Sequence, residues 1–359
     1  MKKKILLALG GCIASMHLYS QACTGIKVTA GDSSVFYSRT FEWAYYPTHP
    51  MIKICPRGAR YTSIINNDNG MTWKSIYGSI GITSDTTAFI NEGINEKGLV
   101  AGMFFFDHYA TYHDYDPKAK DHTIDALDLS FFILSNCSTT DEVKEKLGNI
   151  RICGSIRSDL GRVVPLHWRV GDAHGKSIII ECVDKQLNIY DDTLGVITNS
   201  PPYPYHITNL CNYVNISPTP VSKAKMGDIE IYPSGSGSGL LGLPGDFTPV
   251  SRFIRAAFFL SYSRTPDTAY DAMSLSFTIL SNFNIPISGE LPPHSAPQIP
   301  AATQWTSVID ATARVLYYRT MYNSSIRRIE IDKINFAKEK ERYIPLDKTP
   351  HETITDISL

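Results

Sequence analysis

The sequence has no excess of charge of either sign, no cysteine spacing that marks a disulfide framework and, past its first residues, no apolar run of membrane-spanning length. Its 34 basic side chains nearly balance 35 acidic ones and the ten histidines are scattered, so the footprint of a nucleic-acid or anionic-membrane binder is missing. Small molecules are the expected partners. None of the seven cysteines forms a C-x-x-C pair. If Cys23 is a reactive thiol, an odd number remains after Cys12 is lost with the leader. The others, Cys182 behind Ile179-Ile180-Glu181 for example, read as small buried hydrophobes. No stretch reads as a domain linker, and 359 residues at 43% hydrophobic content can bury a large core.

What is present begins with a leader. Lys2, Lys3 and Lys4 precede a short apolar stretch from Ile5 to Leu18, and Ser20 and Ala22 are the small residues that signal peptidase takes at −3 and −1. Residues 1–22 are expected to be a signal peptide, with 23–359 exported as one domain to the periplasm or medium. The cut would leave Cys23 as the first residue. An α-amine of pKa about 7.7–8.0 can accept the proton of a thiol of about 8.5, so one residue would supply both nucleophile and base. Taken alone, a cysteine at this place could equally be structural or the lipidated residue of a lipoprotein, although lipidation favours Leu where Ser20 stands.

Thr24 to Ala30 and Ser33 to Ser38 alternate around Gly31-Asp32 and predict a hairpin. Further strands are expected at 72–82, 99–106, 167–170, 177–182, 187–190, 195–198, 314–321 and 326–331. Helical spacing covers Ile124 to Asn136 and Ser251 to Tyr262, and Thr139 with Glu142 has the signature of a capping box opening a helix to Leu147. Blocks of strands separated by pairs of helices predict stacked sheets covered by helices, an α+β arrangement. The Pro-, Gly- and Ser-rich stretch 201–245 is expected to be an excursion packed on the body.

Four motifs carry a resemblance: Cys23-Thr24-Gly25 with Ser38-Arg39-Thr40-Phe41-Glu42-Trp43; Asn91-Glu92-Gly93-Ile94-Asn95-Glu96-Lys97-Gly98-Leu99; Ile197-Thr198-Asn199-Ser200-Pro201; and Gly242 to Pro249 with Ser251-Arg252-Phe253. Across nearly all of the chain after Cys23 the sequence resembles the choloylglycine hydrolase family, which includes conjugated bile salt hydrolases and penicillin V acylases. The resemblance implies an αββα four-layer sandwich of the N-terminal-nucleophile hydrolase type, no cofactor and no metal. It also implies a homotetramer gripped by a projecting segment that 201–245 would supply.

By the same resemblance Cys23 is the nucleophile and Arg39 sits beside its thiol. Glu42 stands where the family commonly has Asp, and is expected to hold the α-amine and orient Arg39. Asn199 and a backbone N–H near Phe105 would hold the oxyanion, and Arg252 would stabilise the site. Asn95 reads as structural. Phe105 occupies a position where penicillin acylases have Tyr and bile salt hydrolases Asn, so it departs from the bile salt pattern. The run from Asp107 and His108 to His113, Asp114 and Asp116 fits no zinc spacing and is expected to be a substrate-facing loop, with Tyr109 and Tyr112 against a bulky apolar acyl group. Expected substrates are glycine or taurine conjugates of bile acids, penicillin V or N-acyl homoserine lactones. A silent binding protein of the same fold is the rival.

Overall fold

A computed structural model describes residues 22–43, 48–85, 87–157, 161–286, 302–349 and 351–358. The signal-peptide reading of the leader lies outside these residues apart from Ala22. Two antiparallel sheets face each other. The six-stranded sheet runs Val196–Ile197, Cys23–Thr29, Val35–Trp43, Ala302–Asp310, Val315–Thr320 and Asn323–Glu330. The eight-stranded sheet runs Gln186–Asp191, Ser177–Val183, Leu166–Gly171, Val100–Phe105, Glu92–Asn95, Ser79–Ser84, Pro50–Cys55 and Arg342–Pro345. The helices Pro249–Tyr262 and Ala269–Ser281 cover the first sheet, and Leu129–Asn136 covers the second. The layers are therefore helix, sheet, sheet, helix.

Local chemistry sets these elements. Pro249 opens its helix, where a missing N–H costs nothing, and Thr248 caps it by accepting from Ser251 N–H. Thr268 and Asp271 form a reciprocal capping box on the next helix. Thr139 caps Thr140–Leu147 as expected, but the Glu142 carboxylate turns to the N–H and hydroxyl of Ser138. The first hairpin pairs Cys23 with Phe41 and Gly25 with Arg39. A Cβ at Gly25 would lie 2.9 Å from Arg169 Nη1 and 2.9 Å from Phe104 Cζ, so glycine lets the facing sheet approach beside Cys23.

Several expectations change. The stretch 72–82 divides into Asp68–Lys74 and Ser79–Ser84, and the helix expected from Ile124 starts at Leu129, because Thr123–Asp125 pairs in parallel with Arg151–Cys153. The central strand Ala302–Asp310 and the helix Ala269–Ser281 were not foreseen. Within 201–245 lie a short helix, Tyr203–Asn209, and an exposed two-stranded hairpin, Ala224–Met226 with Ile229–Ile231. Among the described residues no helix is long and apolar enough to cross a membrane. The six described cysteines are unpaired, five buried and Cys211 exposed.

Candidate active site

Cys23 lies at the start of an inner strand, 4% exposed, at the floor of a pocket open to solvent. Phe41, Trp43, Phe89, Met103, Phe105, Leu127, Val164 and Leu166 make most of its wall, with Arg157 and Asp85 adding charge. Arg39 is fully buried and donates from Nη2 to Cys23 Sγ at 2.7 Å. Its other donors are fixed by Met103 O at 2.6 Å, Asn91 O at 3.3 Å and Thr40 O at 3.2 Å, and its guanidinium lies 4.0 Å from the Phe104 ring centre. This is a cation with no freedom to leave the sulfur.

The acid nearest Arg39 is Glu92. Its Oε2 lies 3.8 Å from Arg39 Nε and accepts from Ser307 Oγ at 2.8 Å, while Oε1 accepts from Arg169 at 3.2 Å. The expectation that Glu42 orients Arg39 is corrected here: the two are an odd number of positions apart on one strand and point to opposite faces. Glu42 pairs across its strand with Thr303, whose hydroxyl donates to Oε1 at 2.9 Å, and its Oε2 has no hydrogen-bond partner among the described residues. Burial pushes the Glu42 carboxyl up to about 7, with the positive charge of Arg252 opposing. Burial likewise raises the Cys23 thiol, against the pull of Arg39.

Asn199 follows the Val196–Ile197 strand. Its Oδ1 accepts from Cys23 N–H at 3.0 Å and Arg252 Nη2 at 2.6 Å, and its Nδ2 donates to Phe105 O at 2.7 Å, which fixes the amide's orientation. Phe106 N–H bonds to Pro165 O, so the facing residues Phe105 and Leu166 form a non-hydrogen-bonded pair. The Phe105 N–H therefore lies on the same strand edge as its carbonyl, towards Asn199. Arg252 also donates to Cys23 O and, at 3.0 Å, to Thr24 Oγ1. The structure thus gathers Cys23, Arg39, Glu42, Asn199, Phe105 and Arg252 at one point.

Tyr109 and Tyr112 are not brought there. Tyr109 stacks on Phe106 at 5.8 Å, outside the pocket lining. Tyr112 turns inward, and its hydroxyl donates to Val164 O at 3.1 Å and accepts from Leu166 N–H at 2.6 Å, a structural role. The acids of the same loop turn to separate partners, Asp107 to Arg162, Asp114 to Lys185 and Asp116 to a turn N–H, while His108 lies 3.8 Å from Asp107 and His113 faces Ile152 O. Asn95 ties its own turn and donates to Leu134 O and Cys137 O. Sequence reasoning missed Glu92 although it lies inside a motif; an acid beside Gly93 and Ile94 in a short strand was the available signal.

A thiol on an inner strand, between two facing antiparallel sheets and beneath an apolar pocket, defines a hydrolase of the N-terminal-nucleophile fold. The sequence pattern described as "Linear amide C-N hydrolases, choloylglycine hydrolase family" matches residues 23–347. The chain belongs to the choloylglycine hydrolase family and is a linear amide C–N hydrolase. It is 32% identical over 327 residues to a bile salt hydrolase/transferase of Clostridium perfringens, covering 91% of this chain and 98% of that protein. A penicillin V acylase of Pectobacterium atrosepticum is 25% identical, over 79% of this chain and 74% of its own length. The crystal structure of a mutant conjugated bile acid hydrolase from Clostridium perfringens superposes with a TM-score of 0.82 at 29% identity, covering 94% of this chain and all of that one.

Proposed function

We infer that removal of residues 1–22 frees the α-amine of Cys23, which takes the thiol proton as sulfur attacks the carbonyl carbon of a linear amide. The second Nδ2 proton of Asn199 and the Phe105 N–H receive the oxyanion, a pairing typically worth about 3 kcal/mol of barrier per donor. The amine leaves with that proton, and the α-amine then activates the water that hydrolyses the thioester. Arg39 holds negative charge on sulfur, Arg252 fixes the Cys23 carbonyl and the Asn199 amide, and Glu42 Oε2 is the acceptor waiting for the new ammonium. The observation that carries this reading is the Arg39 to Cys23 contact at the floor of an apolar pocket beside an oriented Asn199 amide.

The apolar wall takes the acyl side, which favours conjugated bile acids or penicillin V. A second reading has specific support in the hydrolase/transferase relative: an amine entering in place of water would take the acyl group from the thioester. Export and assembly are part of the same proposal. Met226, Ile229, Ile231 and Tyr232 project from the exposed hairpin and offer apolar surface to a second copy in a homotetramer.

The test is hydrolysis of taurocholate, glycocholate and penicillin V by protein starting at Cys23, beside Cys23→Ser. Activity that vanishes in the variant is expected, and the preferred substrate names the acyl class. A Cys23→Ser protein as active as the parent would overturn the nucleophile. Total inactivity of folded, processed protein on all three would overturn these substrates.

A further inference from the structure

Two buried imidazoles lie beneath Asn199 and have no part in the steps above. His206, on the Tyr203–Asn209 helix, has Nε2 2.9 Å from the backbone oxygen of Asn199. His167, on the Leu166–Gly171 strand, has Nε2 3.2 Å from the backbone oxygen of Thr198. A carbonyl only accepts, so each Nε2 must carry the proton and donate. Successive carbonyls of the turn bearing Asn199 are therefore held by rings from two different elements.

Neither ring is free to swing. His206 stacks on Phe253 with centroids 4.6 Å apart, and His167 stacks on Phe106 at 4.4 Å. Phe253 follows Arg252 and Phe106 follows Phe105, so each ring ties the turn to a neighbour that itself bonds the Asn199 side chain. His167 Nδ1 faces Glu181 Oε1 at 3.2 Å, and that carboxylate accepts from Tyr203 N–H at 3.0 Å, closing the far end of the turn. A purely space-filling role does not fit His206. Among the described residues its buried Nδ1 makes no well-formed hydrogen bond, a cost that leucine or phenylalanine there would avoid.

We propose that His206, together with His167, is a positioning residue for the oxyanion site: the two rings fix the Asn199 backbone so that its side-chain amide meets the tetrahedral intermediate. Neither ring is among the residues that line the pocket. The proposal rests on Asn199 being an oxyanion donor. Displacing such a donor by about an ångström costs roughly 100-fold in rate.

The experiment uses protein starting at Cys23 and measures three quantities for His206→Leu, His206→Asn and His206→Gln. These are kcat and KM on whichever of the three amides is hydrolysed, the rate at which iodoacetamide alkylates Cys23, and thermal stability. Alkylation is a displacement at a saturated carbon and forms no oxyanion, so it reads the thiol without the oxyanion step. The Leu and Asn variants, one without a donor and one too short to reach, should lose kcat by about 10–100-fold with KM and alkylation unchanged. Gln, whose Nε2 can reach the same carbonyl, should recover most of kcat. Where Leu fails to fold, Asn decides. Loss of kcat and alkylation together, in step with lost folded protein, or a full kcat in the Asn variant, overturns the proposal. Asn199→Ala separates the two readings: unchanged kcat there removes the oxyanion role itself, whereas loss there with intact His206 variants removes only the positioning role.

Discussion

The eight-stranded sheet has two faces, and the layers packed on them are built from different material. On its outer face Phe131, Phe132, Ile133 and Leu134 of one helix meet Ala101, Trp168, Val170 and Ile180 of the strands, a layer of apolar side chains. Its charges are buried Lys53, with Nζ 4.8 Å from the Phe131 ring centre, and buried Asp125 with half-buried Asp128 where the chain turns into the helix. On the inner face the apolar residues are interrupted by Arg39, Arg169 and Glu92, each at most 2% exposed. Buried charges of this kind add little stability over apolar replacements, yet removing one partner is costly. The difference separates a layer that holds the fold from one that holds a cation against a sulfur.

That contrast can be broken by paired substitutions. Glu92→Ala leaves Arg39 and Arg169 facing each other without their shared acid, and should destabilise the protein by about 3–5 kcal/mol in urea unfolding. Because Arg39 then loses its anchor, alkylation of Cys23 and kcat/KM measured on the folded fraction should fall too. Leu134→Ala in the outer layer opens a cavity and should cost about 3 kcal/mol, with activity per folded molecule unchanged. Equal losses of activity in the two variants would show that the inner charges serve the fold and not the sulfur.

The same contrast explains what could be read from the chain alone. Cys23 was singled out by the expected leader cut, and Arg39, Asn199 and Arg252 only through the family resemblance, since each sits in one of its motifs and none has a spacing that marks it by itself. The strand Ala302–Asp310 was not, since Thr303, Gln304, Thr306 and Ser307 make it look solvated. It is buried on both faces, and two of those hydroxyls are there to bond Glu42 and Glu92. Polar residues that serve the inner charges erase the apolar pattern by which a central strand is found. His167 and His206 were hidden for a related reason: they act on backbone carbonyls, and no spacing in sequence marks a ring that will meet one. Tyr109 and Tyr112 erred in the opposite direction, because aromatic content in a loop does not say which way the rings face.

A smaller effect sharpens the comparison through two raised carboxyls, Glu42 next to the catalytic strand end and Asp128 at the start of the outer helix. Burial raises Glu42 to about 7 and Asp128 to about 6, both above the ordinary carboxylate range. For each, the folded state holds its proton when the unfolded state has released it. Below the unfolded carboxyl pKa of about 4 both states are protonated and pH has no effect; stability then falls as pH rises, levelling off above the folded pKa. In a chain that retains Ala22 both groups contribute to this fall. In a chain starting at Cys23 the new ammonium gives Glu42 Oε2 a partner and lowers its pKa, while Asp128 in the outer layer is untouched. Melting temperatures of the two forms from pH 4 to 8 should therefore diverge towards neutrality, the processed form gaining roughly 2 kcal/mol of relative stability by pH 8. Parallel curves would mean that the ammonium does not reach Glu42, and that carboxylate would then lose its assigned role in holding the α-amine.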